Sequence, residues 1–333
     1  MLKNANYKSL KHYYIIMNEY RKKIQQTDLL VIGNIVCDII ASIKPGSHPW
    51  GTLTHVNEPI TVSVGGNGAI AAMAAASLGM NVRIAGKIGS DMFSDYVISE
   101  MRKGGVNCDL VERLNEPGSV TCVLSDPSKD RTFFHHAGPN QQLRDLWAIM
   151  DSDLLERTKA LLITSYFLLP GFDGQVALDI MKGTGTKVIK KFLDVSWDES
   201  GKWELAGVLQ HVDYFLCNLD EGRGITGSEN IHEMSEDLLA RGAHAVIIKM
   251  GNMGVFVADN SMKKHIPARE VNTRETTGCG DIFNAAFIYG ILEKMGLFES
   301  ARFASSAGAY AARFLGTVNS LPTISDIRRQ LEE

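Results

Sequence analysis

Beyond Lys159 the apolar runs return with a regular rhythm. "ALLITSYF", "KVIKKFLDVS", "VDYFLCNLD", "AVIIKMG" and "GVFVAD" read as short strands, most of them separated by helical patterns. Strands that alternate with helices imply a mostly parallel sheet covered by helices, with the ligand at the carboxyl ends of the strands. Upstream, "DLLVIGNIVCDII" reads as one buried strand from Leu29 to Ile40, interrupted at Gly33. Two polar, hairpin-like stretches, within "KPGSHPWGTLTHVNEPITVSV" and "SVTCVLSDPSKDRTFFHH", do not fit such a sheet. They are expected to form a small accessory lid inserted at 44–65 and 116–136 of a core over 28–330. Residues 1–27 read as an N-terminal extension, helical in part.

Bulk properties narrow the function class. The 333 residues are 45% hydrophobic and 22% charged, enough for a large core. A formal charge of -4 with no long basic run argues against nucleic acid or an anionic membrane as partner. The run "YYIIM" is too short for a signal core or a membrane span. Five widely spaced cysteines without a CxxC pair argue against a disulfide framework or zinc site and fit a reducing cytoplasm.

The stretch "RETTGCGDIFNAAFIYG" carries the chemistry. Apolar residues at Ile282, Phe283, Ala286, Phe287 and Ile291 have helical spacing, so the glycine loop opens a helix. Asp281 is then either a plain helix cap or an acid poised to take a proton. Helix caps outnumber catalytic aspartates, and this segment alone favours capping. A second glycine segment, "VGGNGAIAAMAAASLG", precedes an Ala-rich helix; it is not a clean dinucleotide fingerprint, and no Walker A sequence is present.

Together these segments resemble the paired signatures of the ribokinase-like carbohydrate kinases, the PfkB family: "GGNGAI" for the GGxxAN type and "ETTGCGD" for the DTTGAGD type. "GKIGSD", "NLDEGRGITG", "IKMGNMG" and "FLGTVNSLP" follow the family's order, so the resemblance spans about Leu29 to Leu331. It implies an α/β fold: a three-layer α/β/α core with a mostly parallel central sheet plus a small β lid. It also implies phosphoryl transfer from ATP, with Mg2+, to a hydroxyl of a small sugar or sugar acid. Asp281 would be the general base, and the amides of Gly278, Cys279 and Gly280 the anion hole. Cys279 stands where a small residue is usual and reads as an inert side chain. Asn218 and Glu221 would hold Mg2+ through water, while Lys249, Gly251, Gly254, Thr276 and Ser305 would line the nucleotide side. Asp38, Asn34, Asn67, Phe134 and His136 would meet the substrate, with Gly65 and Gly66 at the lid hinge.

Three departures keep alternatives open. Ile70 replaces the asparagine that often binds sugar, Glu275 replaces the leading aspartate tied to monovalent-cation binding, and Ser305 replaces an asparagine near the nucleotide. Activation by K+ is therefore left open. A nucleoside kinase of the same fold and a catalytically retired sugar-binding regulator are the rival readings. An exposed lid sheet would invite a lid-to-lid homodimer.

Overall fold

A computed structural model describes residues 26–43, 50–56, 58–125, 131–149, 152–169, 174–183, 189–314, 316, 318 and 321–332. Most of the expected N-terminal extension, and segments 44–49 and 126–130 of the expected lid, lie outside the described residues.

Among the described residues the strands, in chain order, are β1 (Thr27–Ile32), β2 (Val36–Ser42), β3 (Thr61–Gly65), β4 (Val82–Ile88), β5 (Asn107–Arg113), β6 (Val120–Ser125) and β7 (Arg131–His136), then β8 (Thr158–Ile163), β9 (Lys190–Asp194), β10 (Tyr214–Asn218), β11 (Ala245–Lys249), β12 (Val255–Asp259) and β13 (Lys263–Ile266). Nine form one sheet in the order β13-β12-β11-β10-β9-β8-β1-β4-β5. Pairing is parallel from β11 to β5, and β12 and β13 add an antiparallel edge. The other four form a small mixed sheet ordered β3-β2-β6-β7, with β2 and β6 parallel and the outer pairs antiparallel.

Successive side chains in the large sheet face opposite ways, and both faces are covered. Leu29 and Val31 of β1 join the cluster that contains Ala71, Phe287 and Ala304, from the helices Asn67–Ser77, Cys279–Leu292 and Leu297–Ala311. Leu30 and Ile32 join the opposite cluster, with Ile180 and Leu238 of the helices Gly174–Lys182 and Ile231–Ala240. Burial on both sides is why these strands read as continuous apolar runs rather than as alternating patterns. No helix among the described residues is long and apolar enough to cross a membrane.

The run expected as one strand from Leu29 to Ile40 is two. The chain leaves the large sheet at Gly33–Ile35, and Val36–Ser42 enters the small one. A β-branched run reads alike in either sheet; the halves differ in surroundings, Leu29–Ile32 being at most 1% exposed while Asp38–Ser42 are half-buried. The segment expected to contain a hairpin before Gly65 contributes β3 alone among its described residues, and β3 pairs backwards with β2. From β1 the sheet grows first through β4 and β5, then on its other side through β8 to β11. That reversal lies between β1 and β8, where α/β sheets open a crevice at their carboxyl ends. Asn34, just past β1, closes it: its Oδ1 accepts from Ser165 Oγ at 2.7 Å and from the Gly68 N–H at 3.3 Å.

Candidate active site

Asp194, Asn218 and Lys249 are the last residues of β9, β10 and β11, and all three line one cavity of about 1000 Å³. The same cavity gathers Asn67, Glu221, Gly251, Gly254, Thr276, Gly278, Cys279, Gly280, Asp281 and Ser305 from distant parts of the chain. Asn34, Asp38, Gly65, Gly66, Phe134 and His136 are not in its lining.

Its floor is a buried charge cluster. Lys249 Nζ donates to Asp194 Oδ1 at 2.7 Å and to Asn284 Oδ1 at 3.2 Å, and Asp194 Oδ2 accepts from Thr164 Oγ1 at 2.9 Å. Burial alone would drive the Lys249 ammonium toward neutrality, but the carboxylates of Asp194, Glu221 and Asp281 overcome it and raise its pKa. Asp194 and Asn284 were not singled out from the sequence. An acid closing an apolar strand was the available signal for Asp194; Asn284, inside a helical pattern, offered none.

Asp281 stands in the first turn of the helix Cys279–Leu292 and is 6% exposed. Burial, then the nearby Asp194 charge, pushes its carboxyl well above the usual range, against the pull of Lys249 and a hydrogen bond with the Asn67 side chain. Gly278 caps the helix at φ 70°, a left-handed conformation that a side chain would strain, and no side chain satisfies the helix amides there. The Cys279 N–H, expected in an anion hole, donates instead to the Thr276 carbonyl at 3.3 Å. The tight turn that aims the helix uses that amide, which leaves Gly278 and Gly280. Burial, followed by the charges of Asp281 and Glu275, pushes the Cys279 thiol up to about 12, which suits an inert side chain.

Asn218 and Glu221 form a reciprocal cap on the helix Leu219–Thr226. Asn218 Oδ1 accepts from the Glu221 N–H at 2.8 Å, and Glu221 Oε2 accepts from the Asn218 N–H at 2.7 Å. Burial, then the Asp194 charge, pushes the Glu221 carboxyl up to about 7. A carboxyl raised in the folded state stabilises fully below its ordinary pKa of about 4.3 and loses that contribution as pH climbs to about 7. Glu221→Gln keeps the acceptor for the cap and removes the titration. We expect its melting temperature to match or exceed that of the parent at pH 8 and its loss of stability between pH 4.5 and 7 to be smaller, read by thermal denaturation at stepped pH.

The small sheet sorts its residues by face. Asp38 pairs with Thr121, which pairs with His135, so these three share a face; Ser125 and Arg131 pair in the same phase. Arg131 Nη2 donates to Thr276 Oγ1 at 2.8 Å, and its guanidinium lies 3.9 Å from Glu275. This face therefore looks toward the loop that precedes Asp281. Phe134 and His136, expected at the substrate, project from the opposite face, whereas Phe133 and His135 lie on the face turned toward that loop. A shift of one residue reverses every side chain of a strand. Gly65 leaves room for Asp38, because a Cβ there would collide with the Asp38 carboxylate. Burial pushes that carboxyl up to about 6, against a hydrogen bond from Thr121. Gly66 precedes the helix Asn67–Ser77 at φ 86°.

Two buried polar groups at this site are left without partners among the described residues. Ser196, at φ 64°, lines it with a buried Oγ that has no hydrogen-bond partner among the described residues, and the Asn284 Nδ2 beneath is likewise unpaired. Buried polar groups normally find partners.

A family model described as pfkB family carbohydrate kinase matches residues 26–324. The chain is 28% identical to a ribokinase of Haemophilus influenzae, covering 91% of this chain and 98% of the relative. The structure of Arabidopsis thaliana ribokinase complexed with ribose and ATP superposes with TM-score 0.79 at 20% identity, covering 93% of this chain and 100% of that one. A ribokinase II candidate from E. coli in complex with ATP and Mg2+ superposes with TM-score 0.77 at 21% identity, covering 92% and 99%. The fold, with its parallel core sheet and small accessory sheet, is ribokinase-like.

Proposed function

The chain belongs to the pfkB family of carbohydrate kinases, and we propose that it transfers the γ-phosphoryl group of ATP, in the presence of Mg2+, to a hydroxyl of a small sugar or sugar acid. One observation carries this reading: a desolvated carboxyl, Asp281, shares a cavity with a helix N-terminus that no side chain caps and with the Lys249–Asp194 ion pair.

A sugar hydroxyl is a poor nucleophile and needs a base within hydrogen-bond reach. Asp281 takes the hydroxyl proton as the oxygen bonds to phosphorus and the bond from phosphorus to the ADP oxygen breaks. Its raised pKa makes it a stronger base than a solvated aspartate. Gly278 and Gly280 present their amides at the positive end of the helix dipole, where charge on the transferring group is stabilised. Lys249 adds a fixed cation, and Ser196 Oγ supplies an unsatisfied donor in the same wall. Asn218 and Glu221 would hold Mg2+ through its water shell, leaving their own reciprocal cap intact. When bound, Mg2+ and ATP supply the electrophilic phosphorus and the leaving group. Asp38, on the sheet face turned toward this loop, accepts hydrogen bonds from sugar hydroxyls.

ADP release from ATP and Mg2+ across pentoses, ketohexoses, sugar acids and nucleosides tests the reading. Turnover with a sugar or sugar acid is expected. Turnover confined to nucleosides would overturn the substrate class.

A further inference from the structure

A three-residue chain crosses the small sheet on the face turned toward the catalytic loop. Asp38, Thr121 and His135 occupy one rung of β2, β6 and β7. The Thr121 side chain hydrogen-bonds Asp38, and its Oγ1 lies 3.0 Å from His135 Nδ1. A hydroxyl has one hydrogen and an ionised carboxylate can only accept, so Thr121 donates to Asp38 and must accept from a protonated Nδ1. The chain thereby selects one imidazole tautomer. In the neutral ring Nε2 is then an acceptor, and His135 is partly enclosed while keeping some of its surface open to solvent. Burial holds His135 below its ordinary pKa, against the charge of Glu199, while Asp38 stays near 6, so above neutrality the ring is neutral and the carboxyl ionised.

We propose that His135 positions the sugar: its Nε2 accepts a hydrogen bond from one substrate hydroxyl while Asp38 accepts from another, in the tautomer that Thr121 imposes. This rests on the sugar-kinase reading and deepens it. The substrate is a polyol offering two hydroxyl hydrogens to this face.

The test uses His135→Phe, which keeps a ring of similar size, and Thr121→Val, which keeps the shape of a buried side chain and breaks the link. Each should raise the KM for the sugar roughly three- to tenfold, the worth of about one neutral hydrogen bond, with the KM for ATP unchanged. The double variant should lose less than the product of the two single effects, because Thr121 acts in part through the ring and in part through Asp38. His135→Gln should restore part of the affinity. A structural role would instead move the melting temperature and both KM values together. In the sugar-free protein, nitrogen-15 shifts of labelled histidine should report the Nδ1–H tautomer, lost in Thr121→Val. An Nε2–H tautomer, or a sugar KM within twofold of the parent in both single variants, overturns the proposal. A parent protein inactive on every sugar overturns the sugar-kinase reading itself.

Discussion

Asp281→Asn is expected to lower kcat by about 10²- to 10⁴-fold, the usual worth of a positioned general base, without loss of fold. The two effects separate for a physical reason. Asparagine matches aspartate in size, forfeits only the modest helix-dipole preference for an acid in the first turn, and its carboxamide can still pair with the Asn67 side chain. What disappears is the basic oxygen that takes the proton. The native carboxyl is held well above its ordinary range by burial and by Asp194, so its ionised form costs stability at neutral pH. Replacing it should leave the protein at least as stable at pH 8 while activity collapses. For the parent enzyme, kcat/KM should fall as pH is lowered through that raised pKa, because only the ionised carboxylate accepts a proton. Activity of Asp281→Asn within a few-fold of the parent would remove Asp281 from the mechanism.

Lys249→Met carries the largest expected stability effect. The ammonium is surrounded by Asp194 at 2.7 Å and by the charges of Glu221 and Asp281, and the side chains of the Lys249–Asp194 pair are 16% and 4% exposed. Removing the only cation named among these partners leaves buried carboxylates facing one another, and breaking such a pair typically costs about 3–5 kcal/mol. Denaturant titration at pH 8 should show a loss of that order. The loss should shrink at pH 5, where Glu221 and Asp281, both held above the usual carboxylate range, take up protons and no longer need a counter-ion. Adding Asp194→Asn should recover part of it, since removing both partners of a buried pair is far less costly than removing one. An equal loss at both pH values, or no recovery in the double variant, would show that Lys249 acts through its packing and not its charge.

Much of this architecture is legible in the sequence, because its signals are periodic. The strand and helix rhythm after Lys159 is set by burial on both sheet faces, and the helix after Gly278 by apolar spacing over several turns. Asp281 with its glycines, and Asn218 with Glu221, stand out only through their likeness to family motifs, since local pattern alone reads both as helix caps; the fold brings them to one cavity. Where the pattern is degenerate, legibility ended. In "RTFFHH" both phases of the strand offer one phenylalanine and one histidine, so period two cannot distinguish Phe133 and His135 from Phe134 and His136; the pairing of β6 with β7 decides. The break at Gly33–Ile35 was hidden because the residues on both sides are β-branched and apolar. Asp194, Asn284 and Ser196 are single residues made relevant by neighbours far along the chain, which local sequence does not display. The Cys279 amide illustrates the same limit at the backbone: residue type alone does not tell which N–H a tight turn consumes.

The most direct measurement follows phosphorus rather than ADP. Protein, ATP, Mg2+ and each candidate sugar would be monitored by phosphorus-31 NMR, with Asp281→Asn in parallel. The account predicts a sugar phosphomonoester that appears in step with ADP for the parent protein and not for the variant. ADP that forms only with inorganic phosphate, regardless of the sugar present, or a phosphomonoester formed equally well by Asp281→Asn, would contradict it.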